Sequence, residues 1–380
     1  MPPLESSPPG PPGAPPRHAS APPRPAPGAL LAAVRRLLPG ATLRSVEPLG
    51  VEAAGALGRK GAGYGRPLKL EVELPGGERR ALVFRTATPN EFGHDRRSDR
   101  LAELQLAFDT FDLVPDHVLA LDVGAITPDG LTSLRDGGEP YLLTDYAEGR
   151  LYADDLRLLA RDDPAPLDLE RARALARWMA RLHATRLDDG VAWRRAVRDL
   201  VGAGEGTFGL VDAYPPDTPG VAAGALQALE RQALDWRWRL RDRTDRLRRI
   251  HGDFHPFNLL FGEGTRLTVL DASRGAAGDP ADDVTALSVN FLFFALQAPG
   301  RWRRGYAPLW EAFWETYLAH AGEGVLEAAP PFLGWRALVL ACPRFYPDLP
   351  GDVRQALLGW AGRVVARDRF DPALAGELFP

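Results

Sequence analysis

The sequence has almost no cysteine, no long apolar run and no signal-peptide pattern at its N-terminus. Its 380 residues include one cysteine, Cys342, which excludes an internal disulfide framework and any multi-cysteine zinc site. No apolar run reaches the ~20 residues that cross a bilayer. The N-terminus also lacks the basic segment and apolar core of a signal peptide. We therefore expect a cytoplasmic protein without a membrane partner.

Lysine is nearly absent as well. Lys60 and Lys69 are the only two, so 44 of the 46 basic residues are arginines, which is most simply a coding preference. The 50 acidic residues bring the formal net charge to −4. Because no basic excess remains to neutralise a phosphate backbone, we expect no nucleic-acid partner.

Residues 1–28 differ in composition from the rest of the chain. They consist mostly of Pro, Gly, Ala and Ser and hold almost no large apolar side chain. Little hydrophobic burial is therefore available to offset the entropy lost on ordering them, and we expect a disordered or polyproline-like tail. An inert tail is the simpler interpretation, and a ligand for a proline-binding partner domain is the alternative.

Residues 30–145 predict an antiparallel sheet with a helix against it. In LKLEVEL the leucines and valine alternate with Lys69 and two glutamates, which is typical of a half-buried strand. The predicted elements are a short helix from about residue 29 that is stopped by Pro39-Gly40, strands at 41–50, 68–74 and 80–87, a helix at about 98–111, and further strands at 114–126 and 141–149.

Residues 146–380 predict a mostly helical region that contains one hairpin. Helical spacing of apolar residues recurs at 172–187, 226–247, 282–298, 306–321 and 350–369. The hairpin comprises two short apolar strands around the turn at 262–265, within 257–272.

Three polar residues stand at one end of this hairpin. Pairing centred near residue 264 puts Asn258 opposite residue 270, so Asn258 and Asp271 emerge together beside the loop that carries Asp253. Two carboxylates and an amide suit a hard divalent cation such as Mg²⁺, which prefers oxygen ligands and retains waters for substrate phosphates.

These spacings are those of a phosphoryl-transfer catalytic loop. With HGDFHPFNLLF (251–261), VLDASRG (269–275) and GDPADDV (278–284), the chain resembles the aminoglycoside phosphotransferase and choline kinase-like family over about residues 30–370. The resemblance implies an α+β, two-lobed protein-kinase-like fold, with a small antiparallel-sheet N-lobe and a larger, mostly helical C-lobe. It also implies transfer of the γ-phosphate of ATP or GTP to a hydroxyl of a small molecule.

The resemblance assigns roles in both lobes. In the C-lobe, residues 146–380, it makes Asp253 the catalytic base and Asn258 and Asp271 the Mg²⁺ ligands, while His251 and Asp283 support the loop. This lobe would also bind the acceptor.

The N-lobe, residues 30–145, would bind the nucleotide. The resemblance makes Arg85 the cation for the phosphates, in place of the family's usual lysine, and Glu103 its partner. Asp145 and Ala147 would meet the adenine through their backbones. Lys60, in the glycine-rich segment 55–66, would reach a phosphate, or it stands in a solvated loop.

Other interpretations of the same residues remain open. His251, Asp253 and His255 alternate as H-x-D-x-H, which is compatible with a zinc metallohydrolase. A catalytically weak kinase-fold binding protein is another alternative. We expect His183 to be a packed or capping residue. Core packing is expected for the tryptophans at 302, 310, 314 and 335, and a place for one or two of them in the acceptor pocket is the alternative. The arginines among residues 300–370 disfavour a polycationic aminoglycoside and leave sugars and amino alcohols open as acceptors.

Overall fold

The computed structural model describes residues 24–48, 67–90, 92–113, 118–136, 144, 146–272 and 274–379. The chain divides into two compact units, Met1–Leu143 and Thr144–Pro380. The predicted tail up to residue 23 and the glycine-rich segment 55–66 lie outside the described residues.

The first unit has a three-stranded antiparallel sheet covered by a helix. Its elements are α1 (Pro27–Leu37), β1 (Thr42–Pro48), β2 (Leu68–Glu73), β3 (Arg79–Phe84), α2 (Arg97–Thr110), β4 (Gly124–Thr127) and β5 (Gly130–Ser133). The central strand, β2, buries Leu70 and Val72 in one cluster with Leu30 and Val34 of α1. The alternation of apolar residues along β2 therefore encodes the face that α1 covers.

Two strand predictions in the first unit were wrong in their extent. Of the strand predicted at 114–126, the described residues are 118–126. Only the last three of these are in a strand, β4, and β4 pairs with β5 as a separate hairpin rather than with the main sheet. Pro128 and Gly130, which has φ +127°, make a tight turn there, so pairing is local. In 141–149 the described residues are not in strands, and β6 begins only at Arg150.

The second unit is mostly helical, as predicted. Its helices are α3 (Tyr152–Leu158), α4 (Pro166–His183), α5 (Gly190–Gly202), α6 (Thr207–Asp212), α7 (Ala225–Leu240), α8 (Pro280–Leu296), α9 (Ala307–Ala321), α10 (Ala329–Ala341) and α11 (Gly351–Val365). Its strands are β6 (Arg150–Leu151), β7 (Arg248–Arg249), β8 (Leu259–Phe261), β9 (Leu267–Val269) and β10 (Ala277–Gly278), in the sheets β6-β8-β9 and β7-β10. None of the described helices is both long and apolar enough to cross a membrane.

Helix α8 forms the centre of the second unit. Its apolar residues are not confined to one side, and nearly every residue from 281 to 295 is buried, as expected of a helix without a solvent face. The four tryptophans for which core packing was predicted, at 302, 310, 314 and 335, are each 9% exposed or less, which confirms that prediction.

The hairpin of β8 and β9 has the predicted register. Leu260 pairs with Thr268, and the amide of Leu270 donates to the carbonyl of Asn258 at 2.9 Å. The buried Arg171 of α4 donates from Nε to the carbonyl of Gly264 in the turn at 3.0 Å. The hairpin is thereby tied to the helical part of the unit.

Candidate active site

One buried carboxylate of α8 accepts hydrogen bonds from the backbone of the loop between β7 and β8. Asp283, in the first turn of α8, is completely buried. Its Oδ2 accepts from the amide of His251 at 2.7 Å, and its Oδ1 accepts from the amide of Gly252 at 2.8 Å. The backbone just before Asp253 is therefore fixed relative to α8.

A second layer holds Asp283 itself. The Nε2 of buried His183, at the end of α4, lies 3.1 Å from Asp283 Oδ2, and its Nδ1 lies 2.8 Å from the hydroxyl of Tyr317 in α9. Three helices thus meet at one polar network beneath the loop. His183 is a packed, hydrogen-bonded residue, as predicted.

The Asp253 carboxylate is surrounded by cationic and donor groups. Arg336 of α10 donates from Nη1 to Oδ1 at 2.8 Å, and Arg274 Nη2 lies 3.8 Å from the same oxygen. His255 Nε2 lies 3.4 Å from Oδ2. Because His255 Nδ1 accepts the amide of Phe257, Nε2 is the nitrogen that carries the proton toward Asp253.

These neighbours set the ionisation of Asp253. Burial favours the neutral carboxyl, but the hydrogen bond from His255 and the charges of Arg336 and Arg274 outweigh it and hold the pKa of Asp253 well below its usual range. The side chain is 14% exposed. It is an ionised, fixed carboxylate that is still open to a hydroxyl donor.

Asn258 and Asp271 lie at the same end of the hairpin. Asn258 Nδ2 donates to the carbonyl of Asp253 at 3.1 Å, which leaves its Oδ1 as the atom for a cation. Asp271 is exposed and has φ +56°, which makes it the one described non-glycine residue in the left-handed region. An amide oxygen beside a strained, exposed carboxylate fits a hard divalent cation that keeps part of its water.

In the H-x-D-x-H pattern, which was considered as an alternative zinc site, the Nδ1 atoms of both histidines accept backbone amides. His251 Nδ1 accepts the amide of Asp253 at 3.3 Å, and His255 Nδ1 is likewise occupied by a backbone amide. Over the described ranges, the structure contains no group of three or more His, Cys, Asp or Glu side chains that could hold a metal ion.

The predicted nucleotide-binding residues are spread over both units. Lys60 and Asp145 lie outside the described residues. Arg85 directly follows β3, and Ala147 is half-buried in the segment before β6. Glu103 is on α2, as predicted.

The resemblance implies an ion pair between Glu103 and Arg85. The ion pairs of the described residues do not include this one. Instead, Glu103 Oε2 lies 3.4 Å from His94 Nε2. Asn90 Oδ1 is 3.0 Å from His94 Nδ1 and orients the ring toward α2, so the carboxylate meets a local partner.

Sequence reasoning assigned no role to Arg336 and Arg274, which contact the Asp253 carboxylate, or to Asp282, which binds Arg336. Arg274 lies within the VLDASRG motif, and this position could have indicated that it lies near the site. Arg336 carried none, because it stands 83 residues after Asp253 among many arginines. Asp282, one residue before Asp283, accepts from Arg336 Nη2 at 2.6 Å. Burial raises the pKa of Asp282 to about 6, against the lowering effect of Arg336.

A comparison with protein families finds one match. The model of a phosphotransferase enzyme family, APH, matches residues 74–328, which is more than half of the chain and includes the loop, the hairpin and the start of α8. A comparison with curated proteins finds no match.

Several solved structures are similar at low identity. A glucosamine kinase is 21% identical over 57% of this chain and 59% of its own, with a TM-score of 0.40. An amicoumacin kinase in complex with AMP-PNP, Ca²⁺ and amicoumacin is 13% identical over 93% and 95%, also at 0.40. A Plasmodium vivax ethanolamine kinase is 11% identical over 80% of each chain, at 0.35. The alignment therefore spans less than two thirds of the glucosamine kinase.

Proposed function

Because the chain belongs to the APH phosphotransferase enzyme family, we propose that it transfers the γ-phosphate of a nucleoside triphosphate to a hydroxyl of a small molecule. The observation that carries the proposal is the fixed, ionised Asp253, which stands on a loop anchored to α8 through Asp283. In this proposal residues 30–145 bind the nucleotide and residues 146–380 carry out catalysis and bind the acceptor.

Asp253 is suited to orienting an acceptor hydroxyl. Its low pKa makes it a weak base, so it accepts the proton only once the new bond to phosphorus is well advanced. Phosphoryl transfer passes through a loose transition state in which positioning and charge stabilisation supply most of the catalysis. A firmly held weak base is therefore sufficient for this chemistry.

Asn258 Oδ1 and the Asp271 carboxylate would hold Mg²⁺, which when bound would supply charge neutralisation to the triphosphate. On the chain's side, the hydrogen bond from Asn258 Nδ2 to the Asp253 carbonyl fixes the amide oxygen relative to the base. The left-handed backbone of Asp271 is a local strain of the kind that persists where the surrounding structure requires it.

The nucleotide contacts would come from Arg85, Lys60, Glu103 and the backbones of Asp145 and Ala147. Arginine retains the positive charge of the family's usual lysine, but its planar fork binds phosphate in a bidentate manner. Glu103, which lies against His94 in the structure, would change partner if it is to pair with Arg85.

A turnover screen tests the proposal. Purified protein is incubated with MgATP or MgGTP and a panel of sugars, amino alcohols and antibiotics, and nucleoside diphosphate release is measured. We expect acceptor-dependent release that needs Mg²⁺ and collapses to a low residual rate in Asp253→Ala. Asp163→Ala, which removes an exposed acid bonded to Arg304, serves as the control and should retain activity.

Other outcomes would contradict the proposal. Activity that survives Asp253→Ala would refute the assignment of the base. Nucleotide binding without diphosphate release on any acceptor would favour a binding protein. Zinc that copurifies with the chain, with activity lost to a zinc chelator and restored by zinc alone, would favour a hydrolase.

A further inference from the structure

Two adjacent carboxylates of α8 point to different parts of the same loop. Asp283 accepts from the backbone amides of His251 and Gly252. Asp282 instead binds Arg336, whose other terminal nitrogen reaches the Asp253 side chain. The loop is therefore held twice from one helix turn, once through its backbone and once through the functional side chain.

Arg336 has the geometry of a bridge. Nη1 lies 2.8 Å from Asp253 Oδ1, and Nη2 lies 2.6 Å from Asp282 Oδ1 and 3.3 Å from the carbonyl of Gly252. The residue is 4% exposed. A guanidinium offers both nitrogens in one rigid plane, which fixes the direction of each carboxylate as well as its charge.

The Arg336 side chain is itself immobilised by an aromatic ring. Its Cζ lies 4.1 Å from the ring centre of Trp335, and that of Arg274 lies 4.7 Å from the same centre. Trp335 Nε1 donates to the carbonyl of Glu205 at 2.7 Å, which fixes the ring. A buried guanidinium packed on a fixed ring loses little further freedom when it holds a partner.

We propose that Arg336 is a positioning residue for Asp253, an inference that rests on the proposed function. Anchored by Asp282 and packed on Trp335, it holds the Asp253 carboxylate in the orientation that meets the acceptor hydroxyl. Asp282 acts through Arg336 and does not touch the reacting groups.

Substitutions separate this role from plain structural support. Arg336→Met keeps the apolar stem and removes the bridge, while Arg336→Lys keeps one charge without the fork. Arg354→Met is the matched control, because Arg354 is also buried but bonds only to backbone carbonyls, among them that of Ala341 at the end of α10. The three variants are compared with wild type using an acceptor identified by the turnover screen.

We expect kcat in Arg336→Met to fall by about 10²-fold, as for a misplaced reacting group, with the KM for the nucleotide little changed. Arg336→Lys should recover part of the rate. Arg354→Met should lower stability and leave kcat within about twofold of wild type. In an Asp253→Asn background, where no carboxylate remains to be positioned, Arg336→Met should cause no further loss of rate.

Two results would overturn the proposal. One is a kcat for Arg336→Met that matches Arg354→Met, and the other is a loss that is as large in the Asp253→Asn background as in wild type. If the wild-type chain phosphorylates no acceptor, the proposed function fails on its own. Crystal structures of wild type and Arg336→Met then decide the placement, because an unchanged Asp253 rotamer in the variant contradicts it.

Discussion

Replacement of Asp283 with alanine tests the anchoring of the loop directly. The completely buried carboxylate accepts from the amides of His251 and Gly252 and lies 3.1 Å from His183 Nε2. Alanine removes all of these interactions at once and offers no acceptor in their place. The chain must then either bury unpaired N–H groups or release the loop from α8.

The magnitude follows from the number of donors left without partners. A buried donor that loses its acceptor costs about 1–3 kcal/mol, so the two amides alone give about 2–6 kcal/mol. We expect the free energy of unfolding to fall by about 4 kcal/mol, near the middle of this range. A typical domain is stabilised by about 5–15 kcal/mol, so this loss is a large part of the total. With an m-value of about 2 kcal/mol/M, the urea midpoint should fall by about 2 M.

Tryptophan fluorescence is the appropriate assay. All nine tryptophans lie at or after Trp178, so their emission reports the unfolding of Thr144–Pro380 without a contribution from the first unit. Asp163→Ala is the control, because Asp163 is an exposed acid in the same unit. The urea midpoint of this variant should stay close to that of wild type. An Asp283→Ala midpoint as close to wild type as that of the control would refute the anchoring argument.

The same assay tests two further features of the second unit. Arg246→Ala should lower the free energy of unfolding by about 3–5 kcal/mol, because it leaves buried Asp279, bonded at 2.6 Å, without its charge partner; a loss below about 1 kcal/mol would contradict this. Gly220→Ala should destabilise more than Gly224→Ala. Both glycines have φ near +80°, at +82° and +74°, but only at Gly220 would a Cβ lie 1.8 Å from a backbone oxygen, that of Gly351. Equal midpoints for the two variants would show that the backbone yields there.

Local patterns predicted the parts of the fold that local interactions determine. The alternation in β2 identified its buried face, and the turn at 262–265 set the register that places Asn258 opposite Leu270. Both follow from neighbours in sequence, because strand periodicity and hairpin geometry depend on few residues. The extent of the strand predicted at 114–126 was wrong because its periodicity did not show where the strand pairs. The turn at 127–130 pairs β4 with β5, its neighbour in sequence.

Long-range neighbours of Asp253 were not predictable in the same way. The bridge through Arg336 joins residues that are 83 positions apart and depends on how α10 packs on α8. Nothing in the spacing of either segment distinguishes Arg336 from the other arginines of the chain. The partner of Glu103 was missed for a different reason, because the resemblance implied Arg85 while Asn90 orients His94 toward α2.

The buried arginines show what the near absence of lysine means for this fold. Arg246, Arg336 and Arg354 each join at least two acceptors with different nitrogens of one guanidinium. A lysine ammonium at these positions has no rigid fork to reach two groups in fixed directions, so at least one buried acceptor would lose its donor. A coding preference is the simplest explanation of the number of arginines. It does not make Arg246, Arg336 and Arg354 exchangeable, and Arg→Lys at these positions should lower the free energy of unfolding more where the arginine joins more acceptors.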